Sequence, residues 1–231
     1  MKLIITFYLV VLSALYGTAQ QAPVLLKPAR VFDGENMHDN WVVLVIGNYI
    51  VQSGEMKFKL PAGTKVIDLP GCTVLPGLIE GHSHLFLHAY NETLWNDQVL
   101  KESRAERTAR AVNHARENLM AGFTMVRDLG TEGAMYDDVG IKTAIEKGVI
   151  PGPRLIVATR AIVAKGSYGP KPESADVEFP QGAAEVGNIN EMENEVRRQI
   201  RKGADVIKVY ADFSWGWSKY IIKDPQYHKY T

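Results

Sequence analysis

Two histidines one residue apart, in Gly81-His82-Ser83-His84, are the side chains best suited to chemistry. In an extended segment, residues i and i+2 point to the same side, so both imidazoles face one way with Glu80 beneath them. Two imidazoles at the end of a strand grip one divalent metal at about 2.0–2.1 Å. The same spacing suits histidines satisfied inside a core, and the residues alone leave both readings open. Lys208 is the second candidate. It sits in Val206-Ile207-Lys208-Val209-Tyr210, an apolar run in which an unpaired ammonium costs several kcal/mol or more to bury. Either it pairs with Asp128, Asp205 or Asp212 or reaches solvent, or its pKa is lowered and its neutral amine is reactive. His88, four residues past the pair, lines a substrate pocket or sits in a solvated loop. Tyr168 contacts substrate from Gly166-Ser167-Tyr168-Gly169-Pro170 or is a plain turn residue. Arg127 and Asp128 read as an ion-pair scaffold, and Trp215 and Trp217 as an aromatic wall or as packing.

The elements that must hold these residues repeat. A strand Thr73–Glu80 runs into the histidine pair, and an Arg- and Glu-rich helix follows at about 99–121, with Val112, Ala115 and Leu119 on one side, stopping at Gly122. Strand Phe123–Leu129, a helix around 137–147 ending at Gly148, and strand Arg154–Thr159 come next. A long polar stretch, about 163–189, reads as an exposed loop. Asn190 then caps a helix with Glu193 as its capping-box partner, and Met192, Val196 and Ile200 form the apolar stripe before Gly203. The last strand is Asp205–Ala211. Strands alternating with helices indicate a parallel sheet of βα units. Four such units over 73–231 fall short of the roughly 250 residues of a complete (β/α)8 barrel, so they form a small open α/β sheet or the first half of a barrel. Before them, residues 29–72 read as part of a small β-sandwich, with Gly47-Asn48 as a tight turn between strands and Asp33-Gly34 as a turn without chemistry.

Composition narrows the function classes. The chain has 231 residues, 26 Lys+Arg against 26 Asp+Glu, and one cysteine. Zero net charge removes the basic footprint of a nucleic-acid binder. A lone Cys72 forms no internal disulfide and reads as a small buried hydrophobe. Residues 1–19, MKLIITFYLVVLSALYGTA, have the charge, apolar core and small-residue end of a secretory signal peptide, and the apolar run is too short to span a bilayer. The expectation is an exported protein, periplasmic or secreted, free of the membrane after cleavage, with residues 20–28 as a linker.

The stretch VIDLPGCTVLPGLIEGHSHLFL resembles the barrel entry of the metal-dependent amidohydrolase superfamily, in its imidazolonepropionase-like and Xaa-Pro-dipeptidase-like branch. AGFTMVRDLG, PGPRLIVATRAI and GADVIKVYAD are similar to that family's second, third and fourth strands, in order, and VFDGENMHDNWVVLVIGNYIV to its N-terminal sandwich segment. The resemblance implies an α/β fold: the first half of a TIM-type (β/α)8 barrel, about four βα units, preceded by part of a small β-sandwich. It implies that His82 and His84 are first-strand metal ligands. Lys208 becomes a lysine carboxylated by CO2, its carbamate bridging two divalent metals, zinc by default. It implies hydrolysis of an amide or related C–N bond in a dipeptide, an N-acyl amino acid or a cyclic amide, through a metal-activated water. Two further histidines and a general-base aspartate are expected beyond the end of this chain, since His228 is badly placed as a ligand. The alternative is a truncated or split-gene fragment acting as a binding module, and open strand edges would favour a homo-oligomer.

Export is tested at the N-terminus: Edman sequencing of protein secreted by an exporting host should begin at Gln20 or an immediate neighbour, and an intact Met1 would contradict it.

Overall fold

The structure is a computed structural model that describes residues 22–89, 91–169, 176–179 and 181–211. The expected signal peptide, Trp215, Trp217 and His228 lie outside the described residues. The chain divides into two compact units, Met1–Pro76 and Gly77–Thr231.

The first unit is a sheet of β1 (Val24–Phe32), β2 (Met37–Asp39), β3 (Trp41–Ile46), β4 (Tyr49–Glu55) and β5 (Lys65–Val74). β2 and β3 pair antiparallel with one edge of β1, β5 pairs parallel with the other, and β4 pairs antiparallel with β3. The β3–β4 turn falls at Gly47-Asn48, where Gly47 takes φ 58°, a conformation that only glycine adopts without a Cβ penalty. Leu25, Val42 and Leu44 are buried together, with Phe58 and Leu60 against them. β1 begins at Val24, inside the segment expected to be a linker. Its Pro28, which suggests a break, sits where the β1–β5 register shifts, an irregularity that tolerates a missing N–H. Cys72 is exposed on β5 rather than buried. Asp33 closes the β1–β2 turn, accepting the N–H groups of Asn36 (2.8 Å) and Glu35 (2.9 Å) with His38 Nε2 at 2.7 Å, and these bonds hold its carboxyl down at about 2.

The second unit carries β6 (Leu78–Ser83), α1 (Trp95–Lys101), α2 (Arg104–Met120), β7 (Phe123–Asp128), α3 (Asp137–Glu146), β8 (Arg154–Val157), β9 (Ile162–Ala164), β10 (Ala184–Val186) and α4 (Ile189–Lys202). β6, β7 and β8 form a parallel sheet in that order, as the strand–helix alternation requires. The strand expected over Thr73–Glu80 is two: Thr73 and Val74 finish β5, and Leu75-Pro76-Gly77 breaks the ladder because Pro76 has no N–H to donate. Among the described residues β6 is an edge strand, and its Ile79 is 67% exposed instead of buried. The helix expected at 99–121 is also two. Ser103 separates them and caps α2 by accepting the Glu106 N–H at 3.2 Å. The buried face of α2 is Arg107, Ala111 and Ala115. Ala111 joins Leu85, Phe86, Val126, Ala134, Ile141, Leu155 and Val157 in the core of this unit, with Val112 packed at its margin.

The stretch expected to be an exposed loop contains the parallel pair β9–β10, and Val163, Ala183 and Ala184 in it are buried. α4 is capped by Asn188, which accepts the Glu191 N–H at 3.0 Å, two residues earlier than expected. Gly203 ends it at φ 105°, as expected. The inward residues of α4 are Glu195 and Gln199, while Ile200 is 60% exposed. Polar groups displace the apolar stripe here because Gln199 Nε2 donates to the Arg160 carbonyl (2.8 Å) and to Glu195 (3.1 Å). The fourth strand is reduced to one parallel bridge, Ile162 to Val209, with Asp205 N donating to the Val157 carbonyl at 2.8 Å.

Two buried aspartates lie at the end of this sheet. Asp128, the last residue of β7, is fully buried; burial and the nearby Asp138 push its pKa well above the usual range, against hydrogen bonds from Gly130 and Leu85. Asp138, in the first turn of α3, accepts the N–H groups of Thr159 (2.7 Å) and Val139 (2.9 Å), yet burial pushes it up to about 6. Its bond fixes Thr159 at φ 62°, an uncommon conformation for a β-branched residue, and so sets the turn that leaves β8.

A Cβ on Gly77 would overlap the Thr124 side chain on β7, so Gly77→Ala should destabilise by about 1–3 kcal/mol in denaturant unfolding. The folded chain keeps the Asp138 proton to higher pH than the unfolded chain, so stability falls as pH rises from about 4 through about 6. Asp138→Asn keeps an acceptor and removes the buried charge. Its thermal midpoint should vary less than the parent's across that window, and an equal slope would assign the pH dependence to other groups.

Candidate functional site

Parallel strands connected by helices bring the loops after β6, β7 and β8 to one end of the sheet. His82 belongs to β6 and His84 follows it directly, and their ring centroids are 5.3 Å apart at an interplanar angle of 59°. The pair is therefore brought together. The backbone N–H of His82 donates to Glu80 Oε1 at 2.8 Å. Partial burial lowers the pKa of His82, its neighbour His84 disfavours a second proton on the pair, and the charges of Lys208 and Arg127 lower it further, against Glu80. The shift favours the neutral imidazole, the form that a metal ligand needs.

His84 Nδ1 lies 2.8 Å from the carbonyl of Gly130, in the loop after β7. A carbonyl only accepts, so Nδ1 carries the hydrogen and Nε2 keeps its lone pair. That arrangement suits a divalent cation. Among the described residues, no three His, Cys, Asp or Glu side chains come together as a metal cluster, so the donors that fit are the two imidazoles, with Lys208 as a further candidate.

Lys208 is close enough for its charge to act on His82. Its ammonium lies 5.0 Å from the Tyr210 ring, and among the described residues no carboxylate pairs with it. The aspartates expected as its partners are engaged elsewhere: Asp205 binds Lys142 at 2.6 Å and the Val157 N–H at 2.9 Å, and Asp128 is buried; Asp212 lies outside the described residues.

His88 is placed apart from the pair's chemistry. Its ring sits between Glu102 (3.2 Å) and Glu92 (3.5 Å), and Glu102 also binds Arg110 at 2.6 Å. Tyr168 donates its hydroxyl to Glu132 at 2.6 Å, while its ring stacks on Tyr210 at 5.2 Å and meets Trp95 edge-on at 5.4 Å. Burial and the Glu132 charge raise its pKa, so it stays a phenol. Arg127 and Asp128 do not pair: as neighbours on a strand they point to opposite faces, and Arg127 Nε donates to the Gly81 carbonyl at 2.7 Å.

Three residues not singled out from sequence frame this end of the sheet. Arg107 is buried and spans two loops: its Nε donates to the Phe86 carbonyl (3.3 Å), and one terminal nitrogen to those of Thr131 and Glu132 (both 2.8 Å). Glu132 and Trp95 are the others, joined by a 3.1 Å bond. The sequence signal for Glu132 is its place in Leu129-Gly130-Thr131-Glu132-Gly133, a glycine-flanked loop after a parallel strand. A separate cleft of about 350 Å³ in the same unit is lined by Arg160, Glu185, Glu191, Glu195 and Arg198; it contains no histidine and shares no lining residue with the histidine pair.

Comparison with known proteins agrees with this layout. Residues 73–220 match the amidohydrolase family. Over 62 residues the chain is 34% identical to a dihydroorotase of Pelobacter propionicus, a match covering 27% of this chain and 15% of that protein. Among solved structures it is similar to a prolidase complexed with N-methylphosphonate-L-proline (27% identity, TM-score 0.68, 81% of this chain and 46% of that one). A Xaa-Pro dipeptidase with methionine bound in its active site matches at 26% identity and TM-score 0.68, over 81% of this chain and 47% of that one. A. niger ochratoxinase, at 22% identity and TM-score 0.63 over 84% of this chain and 47% of that one, shares the fold. The chain spans about half the length of these solved relatives. A family match over 73–220, carried on parallel βα units with paired histidines at the end of the first strand, means that the chain belongs to the amidohydrolase family.

Proposed function

We propose that the protein is an exported, metal-dependent hydrolase of amide or related C–N bonds, with His82 and His84 holding a divalent metal centre of two zinc ions. The observation that carries this reading is the His84 Nδ1–Gly130 bond, which leaves Nε2 as the donor. The prolidase and dipeptidase neighbours favour a dipeptide substrate, with an N-acyl amino acid or a cyclic amide as the other members of the class. Such a centre, when bound, supplies an activated water and polarises the scissile carbonyl. This chain's residues orient and tune. Gly130 fixes the His84 ring, and burial, with the neighbouring His84, favours the neutral form of His82. Lys208 is proposed to carry a carbamate: its unprotonated amine adds to the carbon of CO2, a C–N bond forms, and one proton leaves to water. Two further histidines and the general-base aspartate are proposed to come from outside this sequence, and the half-barrel is the proposed architecture of 73–231.

A non-catalytic binding module is the second reading, favoured by the lack of a third His, Cys, Asp or Glu beside the pair among the described residues. Metal analysis of the purified protein, with assays on Xaa-Pro dipeptides and N-acyl amino acids, separates the two. Bound zinc that falls in His84→Ala is the expected result, and any hydrolysis should fall at least about 100-fold on chelation and return with zinc. Zinc-independent hydrolysis, or a chain that binds no zinc, would overturn it.

A further inference from the structure

Glu132 has no role in the reading above, yet its side chain is buried and hydrogen-bonded at this end of the sheet. Its side chain is 3% exposed, and its backbone takes φ 49°, unusual for a residue with a Cβ. A carboxylate is kept in such a place only if donors surround it. Its two oxygens divide the work. Oε2 accepts from Trp95 Nε1 (3.1 Å) and from the Tyr168 hydroxyl (2.6 Å). Oε1 is left facing His84 Nδ1 at 3.8 Å. The backbone is held as firmly, because the carbonyls of Thr131 and Glu132 both accept from the buried Arg107.

Neighbouring glycines show how closely the surroundings are shaped to this carboxylate. A Cβ on Gly182 would lie 2.8 Å from the Trp95 ring and 3.4 Å from Glu132 Oε2, and one on Gly130 would lie 3.5 Å from Oε1. The carboxylate thus sits where three segments meet: the β7 loop whose Gly130 carbonyl holds His84, the start of α1 at Trp95, and the loop after β9 that carries Tyr168.

We propose that Glu132 is a positioning residue for His84. One oxygen adds a negative charge on the Nδ1–H side of the imidazole, reinforcing the tautomer that the Gly130 carbonyl selects and presenting Nε2 outward. The other ties that imidazole to the Tyr168–Trp95 wall. A second partner on the Nδ1 side of a ligating histidine fixes ring orientation and raises donor strength. For the metal this rests on His84 being a ligand, as proposed above; the tautomer does not depend on it. The proposal also accounts for the hydroxyl of Tyr168, which donates to Glu132 while its ring stacks on Tyr210.

The test uses the 15N-labelled full chain and reads two quantities, the ring-nitrogen shifts of His84 by NMR and zinc affinity by calorimetry. Glu132→Gln keeps the shape but has one carbonyl acceptor where Glu has two oxygens, so its NH2 must face either His84 or the Trp95–Tyr168 donors. The wild type should show one Nδ1–H tautomer. Glu132→Gln should show a mixture, with zinc affinity weakened about 10- to 100-fold at unchanged circular dichroism. Tyr168→Phe should give a smaller change in the same direction, and it carries the test if Glu132→Gln does not fold. Variants whose thermal midpoint falls while the His84 shifts and zinc affinity stay at wild-type values would make Glu132 merely structural and overturn the proposal. A wild-type chain that binds no zinc would sink the metal reading of the site, and the tautomer would still decide the role of Glu132.

Discussion

The end of the sheet where the histidines lie depends on one buried guanidinium. The loops after β6 and β7 are separate stretches of chain with carbonyls that a β ladder does not satisfy. Arg107, projecting from α2, takes three of those carbonyls at once: Phe86 from the first loop, Thr131 and Glu132 from the second. A buried backbone acceptor without a partner costs about as much as a lost hydrogen bond, so the grip fixes both loops together. Burial pulls the pKa of Arg107 below its ordinary value, and the charges of Glu102 and Glu132 oppose that shift. Arginine suits this task because its planar fork offers several donors in fixed directions and stays charged where a buried lysine would neutralise. Once the second loop is held, its Gly130 carbonyl is a fixed acceptor for His84.

This explains why some of the site is legible in the sequence and some is not. The βα alternation is visible because it is written in short-range pattern: apolar strands, amphipathic helices, and glycines such as Gly148 and Gly203 in left-handed caps. The histidine pair is visible because its spacing alone puts both rings side by side. Arg107 is invisible. It stands in an Arg-rich helix beside Arg104 and Arg110, which bind carboxylates nearer the surface, and nothing in the local pattern marks the one that turns inward. Glu195 and Gln199 escape notice because the contact that turns Gln199 inward, to the Arg160 carbonyl, is distant in sequence, and a helical wheel read for apolar residues selects the wrong face. Two element boundaries differ from the expected ones at prolines. Pro28 lies within a strand at a register shift, whereas Pro76 does interrupt the ladder. The same residue type acts both ways because only the pairing of its N–H decides the outcome.

The strain near the site follows from the same geometry. Thr159, Glu132 and Met135 all take positive φ just past the ends of β7 and β8. Each bend turns the chain sharply out of the sheet and is held by a directed bond: Asp138 on the Thr159 N–H, Arg107 on the Glu132 carbonyl, and the Thr131 hydroxyl on the Met135 carbonyl. Strained conformations persist where surrounding contacts over-determine them, and such clusters mark places where side chains must be presented at fixed angles. The buried Asp138 keeps its proton more readily than a free carboxylate but sets the β8 turn through backbone donors, a structural use of a charge that costs stability as pH rises.

The electrostatics of the pair contain a tension that bears on what it binds. Burial and the neighbouring His84 lower the pKa of His82 most, and the charges of Lys208 and Arg127, which lower it further, also oppose the arrival of a divalent cation, because a field that repels a proton repels a metal ion. A neutral imidazole in a cationic surrounding is therefore only half of a ligand site. The proposed carbamate would remove the conflict at its source. Converting the Lys208 ammonium to a carbamate changes the charge beside His82 from positive to negative, and supplies oxygen donors where the structure now places only imidazole nitrogens. Arg127 would then be the remaining cation, held on the Gly81 carbonyl at 2.7 Å on an exposed strand face, where solvent screens it. If Lys208 carries the proposed carbamate, the cation would stabilise it against loss of CO2, and the carbamate would offset the field that opposes the cation.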